Sequence, residues 1–157
     1  MEIIDNVLEP HILKDIRSRL LHDSFPWYVE STNKDADNCY LIHVFQHIDG
    51  VCSEFSEITY PILNYIQPKA ITRTKANFYD GTLNVEQHEW HKDYDWEHKG
   101  AIFYLNSNDG YTEFRDGTKV ESVENRLLLF DPSVEHRSTS CSVLSAPYRL
   151  NMNFNYF

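Results

Sequence analysis

The chain has 157 residues, a length that suits one domain with a substantial core and is short for two. Its 14 Lys and Arg against 24 Asp and Glu give a formal net charge of −10, which argues against a nucleic-acid partner. Neither a signal peptide nor a membrane span is evident, so we expect a soluble, cytoplasmic protein with no membrane partner. The cysteines Cys39, Cys52 and Cys141 lack metal-site or disulfide-framework spacing and are interpreted as reduced thiols.

Two helices are predicted in the N-terminal part of the chain. Apolar residues recur at helical spacing over 10–21, and Pro10 suits a first helical turn. A second helix is predicted over 51–66, although Pro61 should kink or split it. The polar stretch between them, ESTNKDADN at 30–38, has the composition of a surface loop that could serve as a lid.

The pattern changes to short β-type runs after residue 69. These runs are rich in Thr, Tyr, Phe and Val and are separated by the turn sequences YDGT, NSNDG and RDGT. Because no helical pattern intervenes, they predict an antiparallel sandwich or barrel. Strands are expected at about 72–79, 101–106, 111–115, 126–131 and 148–156.

The stretch HEWHKDYDWEH at 88–98 concentrates metal-binding side chains. In an extended strand, residues i and i+2 point to the same face, so His91 and Asp93 would project together as a chelating pair. A third ligand must come from elsewhere, and His136 follows the apolar run at 127–130. Two histidines and one carboxylate, with other positions open, are the ligand set associated with non-heme Fe(II).

Seven segments in order resemble one family, the Fe(II)/2-oxoglutarate-dependent dioxygenases, specifically the prolyl 4-hydroxylase-like branch. They are ANFYDGT, HKD, IFYLN, DGYTEF, NRLLLFD, EHRS and PYRLNMNF. The resemblance implies a mainly β (α+β) fold, a double-stranded β-helix or jelly roll with a cupin-like barrel. It implies one domain over 1–157, with helical N-terminal support at 1–70 and the β-helix core at 71–157. The implied iron ligands are His91, Asp93 and His136.

The resemblance also implies the co-substrate site. Arg149 of PYRLNMNF matches the basic residue that binds 2-oxoglutarate, whose distal carboxylate needs a charge-assisted partner once desolvated. Arg137 is the alternative, although its place beside His136 points it to the other face. Tyr104 and Tyr79 match tyrosines that hydrogen-bond the co-substrate. Fe(II), 2-oxoglutarate and O2 are the implied cofactor and co-substrates, and ascorbate could be needed for reactivation.

Strand alternation extends the expected cavity beyond the matched motifs. The residues that share a face with Arg149 or Tyr79 are largely polar, which indicates a polar or zwitterionic substrate. His88 and His98 are interpreted as surface or loop histidines rather than ligands. The tentative substrate pocket comprises Asn77, Asn151, Asn153, Asn155 and, if the strand continues past the chelating pair, Asp95.

The expected reaction is hydroxylation of a C–H bond with release of succinate and CO2. The substrate would be a peptidyl proline or another amino-acid-like molecule, either a peptide or a small molecule. One alternative is a cupin-like metal-dependent enzyme that does not use 2-oxoglutarate, and the other is a non-catalytic metal- or ligand-binding domain of the same fold. Arg149 and Tyr104 distinguish a 2-oxoglutarate-dependent enzyme from a cupin-like one, because a cupin would not need a buried cation. The sequence leaves the substrate and the oligomeric state open.

Overall fold

The computed structural model describes residues 1–31 and 39–157, so the predicted lid at 30–38 lies mostly outside the described residues. Two helices, a 3-10 turn at Ser56–Thr59 and twelve strands are found in this part of the chain. The helices are α1 (Pro10–Leu20) and α2 (Tyr60–Ile66). The strands are β1 (Glu2–Asp5), β2 (Tyr28–Ser31), β3 (Cys39–His47), β4 (Gly50–Val51), β5 (Ile71–Thr82), β6 (Lys99–Tyr104), β7 (Tyr111–Phe114), β8 (Lys119–Glu121), β9 (Arg126–Phe130), β10 (His136–Arg137), β11 (Cys141–Ser142) and β12 (Tyr148–Tyr156).

The strands form a large sheet and a small one. The large sheet has the order β1-β9-β6-β12-β5-β3-β2, with β11 added to β5 and β4 added to β3. The small sheet has the order β10-β7-β8. Every pairing is antiparallel except that of β11 with β5. The predicted mainly β, jelly-roll architecture with supporting helices is confirmed.

Strand β12 shows how alternation divides the large sheet into two faces. Leu150, Met152 and Phe154 lie in the core that also holds the apolar side chains of α1 and α2. The intervening residues, Arg149 and the asparagines, therefore face the small sheet. Between the two sheets a second apolar cluster closes one side of the barrel, formed by Ile102, Tyr104, Phe114, Val120, Leu128 and Phe130.

The elements agree with the sequence in most places. The first predicted helix forms as α1, and all five predicted strands are present. The second helix is split as expected, because a 3-10 turn precedes α2 and Pro61 lies in the first turn of α2. Residues 50–51 form β4 instead of helix. The segment 1–70 also contributes strands β1 to β4, which were not predicted. Within the described ranges, the helices are all too short to cross a bilayer.

Candidate active site

A two-residue antiparallel bridge holds the side chains of His91 and His136 next to each other. The backbone N–H of each residue donates to the carbonyl of the other at 2.9 Å, and the ring centroids are 4.6 Å apart. His136 is buried and starts β10, where it pairs with Phe114 of β7. Its ring packs edge-on against Phe130 at 4.9 Å. The small sheet therefore holds His136 in place, and the backbone bridge from His136 positions His91.

Asp93 completes a cluster of three possible metal ligands. Its backbone N–H donates to the carbonyl of Pro132 at 3.1 Å, and its side chain is 7% exposed. One atom each from Asp93, His91 and His136 can be chosen such that all lie within 4.8 Å of one another. Two imidazoles and one carboxylate suit a first-row transition metal, so the donor set fits Fe(II). In residues 1–31 and 39–157, no other such cluster of three is found.

Hydrogen bonds set the tautomers of both histidines. His136 Nδ1 lies 2.9 Å from the carbonyl oxygen of Val134, and His91 Nδ1 lies 3.2 Å from that of Glu89. Because a carbonyl only accepts, each Nδ1 carries the proton and each Nε2 is left with a lone pair for a metal. His91 Nε2 already faces the carboxylate of Asp93, 3.9 Å from its Oδ1.

Arg73 orients the carboxylate of Asp93. Its Nη2 donates to Asp93 Oδ1 at 3.1 Å. Burial raises the pKa of Asp93, but the positive charge of Arg73, with contributions from His136, His91 and Lys75, outweighs burial and holds the pKa below its ordinary value. The carboxylate is therefore ionised at neutral pH, as a metal ligand must be.

Arg149 is the largest fully buried side chain of the described structure, with 0% exposure. Its Nε donates to Ser122 Oγ at 2.7 Å, and its Nη1 donates to Ser138 Oγ at 2.5 Å and to the carbonyl of Thr139 at 3.1 Å. In the part of the chain that the structure describes, no carboxylate forms an ion pair with it. A buried cation without an anion is costly, so this geometry calls for an anionic ligand.

Arg137, the alternative basic residue, does not line the cavity that Arg149 faces. It pairs with Glu113 at 2.6 Å, and its guanidinium stacks over Trp90 at 4.3 Å. As neighbours on one strand, Arg137 and His136 point to opposite faces, which is why only His136 enters the cavity.

Two buried tyrosines, Tyr79 and Tyr104, flank the Arg149 guanidinium. The guanidinium carbon lies 5.4 Å from the ring centroid of Tyr79 and 5.7 Å from that of Tyr104. The Tyr104 hydroxyl donates to Thr112 Oγ1 at 2.8 Å. Burial raises the pKa of both tyrosines, so their hydroxyls stay protonated and can donate hydrogen bonds.

One cavity of about 290 Å³ joins these groups. It is lined by the three possible metal ligands together with Arg149 and Tyr79, while Tyr104 packs behind Thr112. Of the predicted pocket residues, Asn151 and Asn153 also line it, and Asn77 lies behind them and hydrogen-bonds both. A possible metal site and a buried cation therefore face the same small space.

The structure places two predicted pocket residues elsewhere. Asp95 is exposed and does not line the cavity, because His91 forms only an isolated bridge and the chain bends at Asp93 and at Asp95, so the expected strand is not formed here. Asn155 is buried but hydrogen-bonds His98 Nε2 at 3.1 Å instead of lining the cavity.

The chain is similar to known proteins in its fold and not in its sequence. No protein-family model matches the sequence, and no curated protein matches it. A prolyl hydroxylase from Trichoplax adhaerens, solved with a hypoxia inducible factor oxygen degradation domain peptide fragment, has a TM-score of 0.71 at 16% identity; the match covers 99% of this chain and 82% of that one. A prolyl-4-hydroxylase from Pseudomonas putida has a TM-score of 0.64 at 13% identity, covering 99% and 91%.

The chain has the fold of the 2-oxoglutarate/Fe(II) oxygenases. A non-heme α-ketoglutarate-dependent epimerase from nogalamycin biosynthesis shares this oxygenase fold, with a TM-score of 0.70 at 11% identity, covering 99% of this chain and 76% of that one. Since hydroxylases and an epimerase share it, the oxygenase fold alone does not determine the reaction.

Sequence reasoning missed several residues of the cavity. His88, interpreted as a surface or loop histidine, lines it and packs against the ring of Tyr79 at 5.1 Å. His98, interpreted in the same way, is buried. Tyr40 stacks on Tyr79 at 4.8 Å from strand β3, whose pairing with β5 has no local signal in the sequence. The alternation of side chains along one strand therefore could not have identified Tyr40 as a cavity residue.

The partly buried position of His88 predicts a pH-dependent stability. Burial, then the charges of Arg149 and His91, lowers the pKa of His88 from 6.5 to about 4. Between these values the unfolded chain binds a proton that the folded protein does not, so the free energy of unfolding falls as the pH falls through this window. From pH 7 to pH 5 the loss due to His88 is about 2 kcal/mol.

Urea unfolding of the metal-free protein at the two pH values measures this effect. The variant His88→Gln should lose less stability than the wild type between pH 7 and pH 5, by roughly the 2 kcal/mol estimated above. The same change at the exposed His11 of α1 serves as the control and should leave the wild-type difference in place. An unchanged pH dependence in His88→Gln would show that His88 is hydrated in the folded state.

Proposed function

We propose that the protein is an Fe(II)- and 2-oxoglutarate-dependent dioxygenase that hydroxylates a C–H bond of its substrate. Fe(II), 2-oxoglutarate and O2 would be required, and succinate and CO2 would be released. The observation that carries this proposal is the fully buried Arg149, which has no carboxylate partner among the described residues and faces the same cavity as His91, Asp93 and His136.

In this proposal each buried polar group has a role. His91, Asp93 and His136 would hold the metal, which when bound supplies the capacity to activate O2. Arg149 would bind the distal carboxylate of 2-oxoglutarate, because a guanidinium offers two parallel N–H donors to a carboxylate. The protonated hydroxyl of Tyr79 adds a donor beside that guanidinium, and Tyr104 supports the site from behind by donating to Thr112 Oγ1.

The finer assignment is a prolyl 4-hydroxylase-like hydroxylase acting as a single domain. The similarity to two prolyl hydroxylases supports it, one of them solved with a peptide fragment. A peptidyl proline and a free amino-acid-like molecule both fit an oxygenase of this kind. The polar wall of Asn151 and Asn153 favours a polar group on whichever molecule enters.

An oxygen-free titration tests the proposal. Fe(II) is added to the metal-free protein, followed by 2-oxoglutarate, and the visible spectrum is searched for a weak charge-transfer band. We expect the band with 2-oxoglutarate and not with glutarate, which has both carboxylates but lacks the keto group needed to chelate the metal. If Fe(II) binds but 2-oxoglutarate gives no band, a cupin-like enzyme that does not use 2-oxoglutarate replaces this proposal.

A further inference from the structure

Lys75 is a second cation in the cavity, and the proposed co-substrate site does not use it. It lies on β5, paired in register with Asn153 of β12, and it lines the cavity. Its ammonium lies 5.8 Å from the ring centroid of Tyr40. Two residues away on the same face, Arg73 contacts Asp93. Lys75 is therefore a cavity residue near the possible metal ligands.

Lys75 forms no ion pair within residues 1–31 and 39–157, although the carboxylates of Asp93 and Glu30 act on its charge from farther away. The carboxylate of Asp93 is paired with Arg73, and the ion pairs of the described structure do not include Lys75. Burial, then the charge of Arg73, lowers the pKa of Lys75 to about 8, so the ammonium form predominates at pH 7. A largely desolvated ammonium whose three donors are not paired with a carboxylate can bind an anionic group.

The wall beside Lys75 offers more donors. Asn77 Nδ2 donates to Asn151 Oδ1 at 2.8 Å and to Asn153 Oδ1 at 3.1 Å. These two bonds occupy the amide oxygens, so the amide N–H groups of Asn151 and Asn153 are the parts left to bind a ligand. An ionised carboxylate only accepts hydrogen bonds, with about four acceptor sites on two oxygens. An ammonium beside two amides therefore matches a carboxylate.

Lys75 is also separate from the Arg149 site. Arg149 pairs in register with Tyr79, four residues along β5 from Lys75. At about 3.3 Å per residue, the two positions are about 13 Å apart along the strand. The five carbons of 2-oxoglutarate, joined by bonds of about 1.5 Å, span at most about 6 Å. A co-substrate held by Arg149 leaves Lys75 for another molecule.

We propose that the substrate is a small molecule that carries a carboxylate, and that Lys75 binds this carboxylate with help from Asn151 and Asn153. This inference rests on the proposed function and assigns its substrate class. The cavity of about 290 Å³ lies just below the range of about 300–1,000 Å³ for small-molecule sites, which favours a compact substrate. A peptidyl proline within a chain has no carboxylate to place there.

Calorimetry on the oxygen-free protein, loaded with Fe(II) and saturated with 2-oxoglutarate, tests the proposal. The probes are the twenty common L-amino acids, their primary amides, glycerol 3-phosphate, and a prolyl peptide blocked at both ends. We expect at least one amino acid to bind about 10-fold or more tightly than its amide, because the amide lacks the charge. The blocked peptide should bind no better than the amides.

Three variants locate the effect. Lys75→Met keeps the length of the side chain without its charge and should weaken binding of that amino acid about 10- to 100-fold. Lys75→Arg should retain most of the affinity. Lys99→Met removes one charge from an exposed position outside the cavity and should bind as the wild type does.

The proposal is overturned if no amino acid binds better than its amide, if only the phosphate or the blocked peptide binds, or if Lys75→Met binds the probe normally. It is also overturned if Lys75→Met loses 2-oxoglutarate, since Lys75 would then belong to the co-substrate site. Before calorimetry, the visible spectrum of the same samples shows whether 2-oxoglutarate has bound. A wild type without that binding refutes the proposed function, whereas normal binding without carboxylate preference refutes only the substrate class.

Discussion

Replacing Arg149 with methionine should weaken 2-oxoglutarate binding by about 100-fold or more and leave Fe(II) binding intact. The guanidinium is fully buried, so a carboxylate that binds it exchanges water for a charge-assisted pair. Losing one partner of such a pair costs about 2–5 kcal/mol, because the other charge is then buried alone. The metal ligands lie on other segments of the chain and do not contact Arg149 through any ion pair in the described structure.

Thermal unfolding gives the simplest measurement. At a concentration 100 times its Kd, 2-oxoglutarate should add about 2.7 kcal/mol to the free energy of unfolding of the Fe(II)-loaded wild type. The same concentration should add only a few tenths of a kcal/mol to Arg149→Met, since the higher Kd is then comparable with the ligand concentration.

Arg137→Met is the matched control, because it removes the same charge from the other candidate arginine. Arg137 does not line the cavity and is paired with Glu113 behind the Trp90 ring, so this variant should respond to 2-oxoglutarate as the wild type does. Loss of the response in Arg137→Met, with retention in Arg149→Met, would show that the co-substrate carboxylate binds on the other side of the His136 strand.

The local patterns of the sequence predicted the central part of the fold and site. Alternation along β12 was sufficient to separate Leu150, Met152 and Phe154 from Arg149, because a strand with two different environments has a fixed side-chain register. The short spacing of His91 and Asp93 made them neighbours in most conformations of the chain. His136 could be added only through the family resemblance and its place after an apolar strand.

Features that depend on distant parts of the chain were harder to predict. Strand β3 contains the apolar run LIHVF, whose periodicity does not distinguish a strand from a helix, and its partner β5 begins 24 residues after β3 ends (71 − 47). Asp95 was assigned to the cavity by assuming that a strand runs through 91–95, whereas His91 forms only an isolated bridge and the chain bends at Asp93 and again at Asp95. His88 was interpreted as a surface or loop histidine; it does lie in a loop, but packing against Tyr79 partly buries it and places it in the cavity wall.

Asp93→Ala should lower the affinity for Fe(II) by at least about 100-fold. Partners that only orient a metal ligand typically contribute 10- to 100-fold to affinity, and a direct carboxylate ligand contributes more. The carboxylate also supplies the negative charge beside two neutral imidazoles, and alanine leaves Arg73 without its partner next to the metal position. The positive guanidinium would then repel the metal cation, which adds to the loss.

Asp95→Ala provides the control. Asp95 lies two residues after Asp93, carries the same charge, and is exposed outside the cavity. Fe(II) affinity is measured without oxygen by competition with a chelator that absorbs visible light, and Asp95→Ala should match the wild type. Equal affinity in both variants would mean that Asp93 is not a ligand. The Arg73–Asp93 pair would then serve only to hold the loop after His91, and the proposed set of three metal ligands would be wrong.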